Sequence, residues 1–285
     1  MMNQAKVITV APPEAIVARH IRFLAAAPTG ANVLREIRKP RPIVAVEEVI
    51  DPVELPDTSE WPEPTDGVMI LLVPTERAAE ARKIAERWMT SPSHPAAVTN
   101  LVFTVNGHRI QWRPGRAIVQ GSSESFVPTV SAIIDFAFYE GELRRLEQDL
   151  EEREAGAFED SSHAYGISFS ERASWPRFAQ MSQYFCRMRL TYARLEPCLV
   201  TASRSLSPEA REVMDRLLEE ADVSERLEAF SNRLEACEDL YEGAMDRIAE
   251  HRWYLGGQWL ELGIIFLLLI EIILMGTEFY LRHGK

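Results

Sequence analysis

Residues 260–281 read LELGIIFLLLIEIILMGTEFYL, an apolar run of 22 residues without a basic side chain. At 1.5 Å per residue this makes about 33 Å of α-helix, enough to cross the hydrocarbon core of a bilayer. The run predicts one transmembrane anchor over residues 259–281, closing a mostly soluble chain. Glu271 stands near its middle, with Glu261 and Glu278 towards its two ends. A carboxylate at bilayer depth costs about 3 kcal/mol on insertion scales, so Glu271 and Glu261 are expected to face a partner or a polar cavity. The alternative is the core helix of a soluble protein, which would ordinarily be shorter. Trp253, Tyr254 and Trp259 just before the run form half of an aromatic belt and favour the membrane reading independently.

The remaining composition is that of a globular protein: 285 residues, 46% hydrophobic and 26% charged. A net charge of −12 argues against a nucleic-acid-binding surface over the whole chain, and no direct sequence-specific nucleic-acid partner is expected. Cys186, Cys198 and Cys237 are odd in number and far apart. They predict neither a disulfide framework nor a metal pair, and read as small core residues on helices. The N-terminus lacks a continuous apolar segment, so no secretory signal is expected. Residues 1–41 carry Arg19, Arg22, Arg35, Arg38 and Arg41 and few acids, as a transit peptide would. Val7–Val10 and Ile43–Val46 read as strands, which favours a folded domain.

Residues 1–125 predict a small α+β domain. AKVITVA (5–11), PIVAVEEVI (42–50) and GVMILLV (67–73) are β-branched apolar runs and read as strands. Ile16, His20, Phe23 and Leu24 stand at helical spacing and predict a helix over 12–27, with His20 a core or boundary residue. The Pro-rich acidic segment 51–66 reads as a mobile loop. PTERAAEARKIAERWMTS (74–91) predicts a helix with Thr75 as its N-cap. Two alternating runs around Asn106-Gly107 predict a hairpin with a type I′ turn, and RAIVQG (116–121) a further edge strand. The order predicts a ferredoxin-like split β-α-β sheet with helices on one face.

Residues 126–258 predict a helical, coiled-coil domain. A helix is expected over 129–156, with Gly141 a weak point in it. A polar linker is expected over 156–171. Its Ser161, Ser162 and His163 are neighbours on a loop and make no catalytic triad. Trp175, Phe178, Met181, Phe185, Met188, Tyr192, Leu195 and Leu199 step by three and four. Ser207-Pro208 predicts the cap and first turn of a new helix. Leu227, Phe230, Leu234, Cys237, Tyr241, Ala244, Ile248 and Leu255 continue the stepping towards the anchor, with Gly256-Gly257 as a hinge. The two stripes predict an antiparallel helical hairpin, or a bundle shared between copies of the chain. In the second case Leu227, Phe230, Leu234, Tyr241, Ile248 and Leu255 form the oligomerisation stripe. His251 reads as a membrane-interface residue.

No phosphate-binding glycine motif, HExxH, EF-hand loop or Cys/His zinc spacing occurs. The six histidines are scattered. No enzymatic chemistry, cofactor or metal is expected.

RLEACEDLYEGAMDRIAEHR (233–252) followed by LELGIIFLLLIEIIL (260–274) resembles the end of a domain-of-unknown-function family. That family includes the mitochondrial "required for meiotic nuclear division" proteins and bacterial YagE-type relatives. A charged heptad helix leads there into a Leu-Glu pair opening an apolar anchor, with a second glutamate ten residues on; here these are Leu260, Glu261 and Glu271. FVPTVSAIIDFAFYEGELRRLEQDL (126–150) is similar to an earlier segment of the family. The resemblance spans roughly residues 65–281 and is best after 225. HRWYLGGQW departs from the polar stretch that family members often carry before the pair. The resemblance implies an inner-membrane anchor, bacterial with a cytoplasmic soluble part, or mitochondrial in a eukaryote. It also implies homo-oligomerisation and a soluble domain facing the translation machinery, the ribosome being the expected partner.

Two functions are therefore expected. The first is a non-enzymatic, self-associating membrane scaffold, tethering or supporting the translation machinery. The alternative is an oligomeric ion pore or transporter-like assembly with Glu271 lining the path. Its element order is also that of CorA-type magnesium channels, although their Gly-Met-Asn signature and second span are absent here.

Overall fold

The structure, a computed structural model, describes residues 16–49, 66–89, 100–122, 126–165 and 175–283. The strand expected over 5–11 lies outside them, as does nearly all of the 51–66 loop. Seven strands form one sheet: β1 (Val17–Leu24), β2 (Asn32–Ile37), β3 (Ile43–Val49), β4 (Gly67–Pro74), β5 (Leu101–Val105), β6 (His108–Arg113) and β7 (Arg116–Gly121). Their order is β2-β3-β1-β4-β7-β6-β5. Neighbours are antiparallel except β4 and β7, which pair in parallel. Five helices are described: α1 (Ala78–Met89), α2 (Phe126–Tyr165), α3 (Trp175–Val200), α4 (Pro208–Glu220) and α5 (Val223–His283).

The helix expected over 12–27 is strand β1 across Val17–Leu24. The reason lies in what covers the sheet. Ile16 and Ala18 pack with Met69, Leu71, Val73 and Ile118 under Trp88 of α1. The alternate residue Phe23 turns to the opposite face and meets Phe138 of α2 edge-on, ring centres 5.4 Å apart. Trp112 likewise packs on Phe136 of α2 at 4.8 Å. Helices thus lie on both faces, not on one as expected. A strand buried on both sides keeps apolar residues of both parities, and its two-residue period disappears. β4 shows the same effect, with Val68–Val73 all buried. Gly67 opens that strand where a Cβ would lie 2.2 Å from the carbonyl oxygen of Ile21. The missed strand β2 extends the sheet beyond β3, so the β-α-β-β-α-β order does not describe these residues.

The hairpin turn and the start of α4 are as expected. Asn106 and Gly107 take φ of 51° and 74°, the left-handed pair that a type I′ turn requires, and join β5 to β6 in register. Ser207 caps α4, its hydroxyl accepting from the Ala210 amide at 3.2 Å, with Pro208 at the first helical position. At 74–91 a 3-10 turn, Thr75–Arg77, precedes α1, and Thr75 is not the cap. α2 begins at Phe126 and runs to Tyr165, so the first part of the expected linker is helix. Gly256 and Gly257 lie within continuous helix α5 rather than at a break.

The chain divides into two compact units, residues 1–150 with 188–232, and 151–187 with 233–285. The first takes segments from both sides of the boundary expected at 125, and the second lies wholly beyond it. In the first unit the helices cover the sheet face that carries Phe23 and Trp112. Arg35 of β2 forms a two-pronged ion pair with Asp135 of α2 and donates to Ser205 at 2.7 Å. Arg226 donates to Glu147 through two nitrogens, at 3.0 and 2.6 Å, and to Glu140 at 3.2 Å. Tyr192 packs on the Phe230 ring and donates its hydroxyl to the Leu227 carbonyl at 3.2 Å.

The second unit is a three-helix arrangement. Phe178 and Phe185 of α3 pack on Tyr241 of α5, and Trp175 on His251, so these two run antiparallel. Arg233 pairs with Glu154, Tyr241 donates to Asp160 at 2.8 Å, and Arg247 donates to the Ala164 carbonyl at 2.7 Å. The rising numbers on both helices show α2 and α5 parallel.

Candidate functional site: the exposed helix and the arginine-lined cavity

In the second unit α5 changes character along its length. Leu234, Tyr241 and Ala244 are fully buried and Ile248 nearly so. Their three–four spacing puts them on one side of the helix, against α2 and α3. In the first unit Leu227 and Phe230 are buried in the same way. Leu227, Phe230, Leu234, Tyr241 and Ile248 were expected either in an antiparallel hairpin or in a stripe joining copies of the chain. They are enclosed within one copy, so the stripe builds an intramolecular helical hairpin. The Leu255 side chain lies outside the described residues. His251, expected at the membrane interface, is half-buried against the Trp175 ring, centres 6.0 Å apart.

Beyond this packed part the described side chains of the helix are exposed. Trp253, Tyr254 and Trp259 are 87%, 66% and 75% exposed. The apolar residues from Leu260 to Met275 remain exposed, from 38% at Ile270 to 68% at Leu260. Glu261 and Glu271 are exposed among them. This stretch is long and apolar enough to cross a membrane. Stepping seven residues, Gly257, Ile264, Glu271 and Glu278 fall on one heptad position, whereas Glu261 lies about 80° round the helix from Glu271 at 100° per residue. The sequence thus brings the two candidate glutamates into one apolar segment but not onto one line.

Other candidates resolve more simply. Ser161 and Ser162 sit in α2 with their hydroxyls on the carbonyls of Phe158 and Glu159, at 2.7 and 3.1 Å. Cys186 is exposed rather than a core residue, Cys198 half-buried and Cys237 buried. Burial pushes the Cys198 and Cys237 thiols up, away from the reactive thiolate. Burial also lowers His108, which packs edge-on against Phe126. Among the described residues no three His, Cys, Asp or Glu side chains converge to hold a metal ion.

One feature escaped the sequence. A cavity of about 240 Å³ opens in the first unit between β1, the turn from β6 to β7 and the middle of α2. Phe23, Arg41, Asp66, Arg113, Gly141 and Arg145 contribute to its lining. They come from five separate places in the chain, Gly141 and Arg145 both from α2. The one local signal is Gly141, a glycine in a helix interior.

No family model matches the chain, and no curated protein matches it. Among solved structures, that of the full-length CmaX protein is similar at 10% sequence identity, with a TM-score of 0.37. The match covers 90% of this chain and 85% of that one. A likeness this slight does not show a shared fold.

Proposed function

We propose that the chain is a membrane-anchored, non-enzymatic scaffold that self-associates through its anchor. The observation behind this is the state of helix α5. Its stripe up to Ile248 is buried by the chain's own helices, whereas the apolar side chains described from Leu260 to Met275 are exposed. An all-round apolar surface of this length is stable in lipid and not in water. Self-association then falls to the anchor, because the packed stripe has no face left to offer. Glu271 supplies the reason: a protonated carboxyl among hydrocarbon lowers its cost by hydrogen-bonding to a neighbouring span. The translation machinery enters as the partner on the likeness of residues 233–274 alone.

Alkaline carbonate extraction tests the anchor. The chain should stay in the membrane pellet, and release into the supernatant would sink the reading. Gradient sedimentation of solubilised membranes at two salt concentrations tests the ribosomal partner, which is excluded by migration away from ribosomes at both.

A second reading is an oligomeric ion path lined by Glu271, favoured by the position of that carboxylate in an otherwise apolar segment. Glu271→Leu separates the two. Loss of ion flux in liposomes with an unchanged native mass supports the path; a lowered native mass supports the scaffold.

A further inference from the structure

We infer that the cavity in the first unit binds a small soluble anion carrying a phosphate group. One wall is a face of α2. Ala137, Gly141, Arg144 and Gln148 stand four, three and four residues apart and so share one side of the helix. Gly141 costs helix stability, roughly 1 kcal/mol against alanine. Packing does not demand it, since a Cβ there would meet nothing within 4 Å. What the absent side chain does is leave the space open.

Charge then selects the occupant. Five arginines and three carboxylates line the cavity, a local reversal in a chain of net charge −12. The carboxylates are already engaged. Glu142 accepts from Arg41 at 3.0 Å and from Arg145 at 2.6 Å. Glu140 is shared by Arg144 and by Arg226, which stands outside the lining. Asp66 takes Arg145. A metal cation would have to displace a guanidinium from each of them, so the surplus favours an anion. Arg116 is held elsewhere, donating to the Trp88 carbonyl at 2.9 Å with its guanidinium over that ring.

Arg41 stands at the mouth with its side chain 52% exposed. Among the described residues it commits one nitrogen to Glu142, and its guanidinium lies 6.0 Å from the Phe138 ring centre. Its other N–H groups form the flat fork that matches a phosphate edge. Arg113, nearly buried, places a further guanidinium in the wall. Phe23 and Phe138 give the cavity low-dielectric walls, which strengthens each charged contact. The volume is below the roughly 300 Å³ at which pockets for drug-sized ligands begin, which suits an anion of pyrophosphate size rather than a nucleotide.

The test is calorimetric titration of the full chain in detergent with inorganic pyrophosphate at fixed ionic strength, with succinate as a second arm. Saturable binding of one pyrophosphate per chain is expected, tighter than succinate. Arg41→Gln should weaken it roughly 10- to 100-fold, the range for hydrogen bonds to charged groups. Gly141→Leu should abolish it by filling the cavity, while the melting temperature holds or rises because a helix-interior glycine is replaced. The proposal is overturned by the absence of saturable heat, by undiminished binding in Gly141→Leu, or by succinate binding as tightly as pyrophosphate.

Discussion

Two parts of α5 place their apolar residues in opposite surroundings. Between Leu234 and Ile248 the stripe of Leu234, Cys237, Tyr241, Ala244 and Ile248 is buried to 5% exposure or less against helices of the same chain. Charged residues such as Glu235, Glu238, Asp239 and Glu242 occupy the rest of that surface. From Leu260 to Met275 apolar side chains point in every direction and stay exposed. The difference shows what each pattern requires. A stripe needs another stripe, which this chain contains. A helix that is apolar all round needs a surrounding medium, and two neighbouring helices cannot supply it.

The largest effect should come from charging the exposed part. Leu268→Arg with Leu269→Arg adds about 3 kcal/mol per residue to insertion at a helix centre. The doubly substituted chain should leave carbonate-washed membranes while its soluble melting transition is unchanged. Retention in the pellet would break the comparison. Next is one substitution made in both places. Leu234→Ala should cost about 2–5 kcal/mol of unfolding free energy, as for a fully buried leucine. Leu267→Ala should cost less than about 1 kcal/mol, because a leucine in a span contributes only a few tenths to insertion. Equal losses in denaturant unfolding would show that both parts are packed alike.

Smaller effects sharpen the contrast. Glu271→Leu should weaken association of the spans by about 0.6–2 kcal/mol, seen as a lower native mass at low protein-to-detergent ratio. Tyr241→Phe removes the hydroxyl that donates to Asp160 and should cost about 1 kcal/mol at pH 8. Burial, the hydrogen bond to Asp160 and that residue's charge all hold the Tyr241 phenol above its ordinary value. The folded state therefore keeps the proton more tightly than the unfolded one. This contribution is complete below about pH 10, where a free tyrosine begins to ionise, and is lost as the pH rises further. Melting temperatures measured from pH 8 to 11 should fall less steeply for Tyr241→Phe, and identical slopes would remove Tyr241 from the account.

Sequence reading succeeded where a signal is local. Asn106-Gly107 specifies its turn because asparagine followed by glycine is among the few pairs that accept two left-handed residues cheaply, and Ser207-Pro208 marks a helix start through groups three residues apart. It failed at β1, where Ile16, His20, Phe23 and Leu24 imitate a helical face. It failed again at residues 156–165, where the polar composition of a solvated helix resembles that of a linker. The heptad stripe of α5 was legible as a packing surface, but its partner was not. Spacing specifies that Leu234 and Tyr241 lie on one side of a helix; it does not say whether the facing helix belongs to the same chain. The cavity was out of reach, since Phe23, Arg41, Asp66, Arg113 and Arg145 have no shared pattern.

By itself the sequence determined the apolar stretch at 260–281, the glutamate within it, the hairpin and the helix starts. Each depends on composition or on residues within one or two turns of chain. The tertiary structure alone decided that β1 is a strand covered on both faces, that the α5 stripe is enclosed by α2 and α3, and that arginines from distant segments surround one cavity. Those outcomes depend on contacts between residues about a hundred positions apart, such as Phe23 with Phe138. Burial of that kind is a property of the assembled chain, and no local period records it.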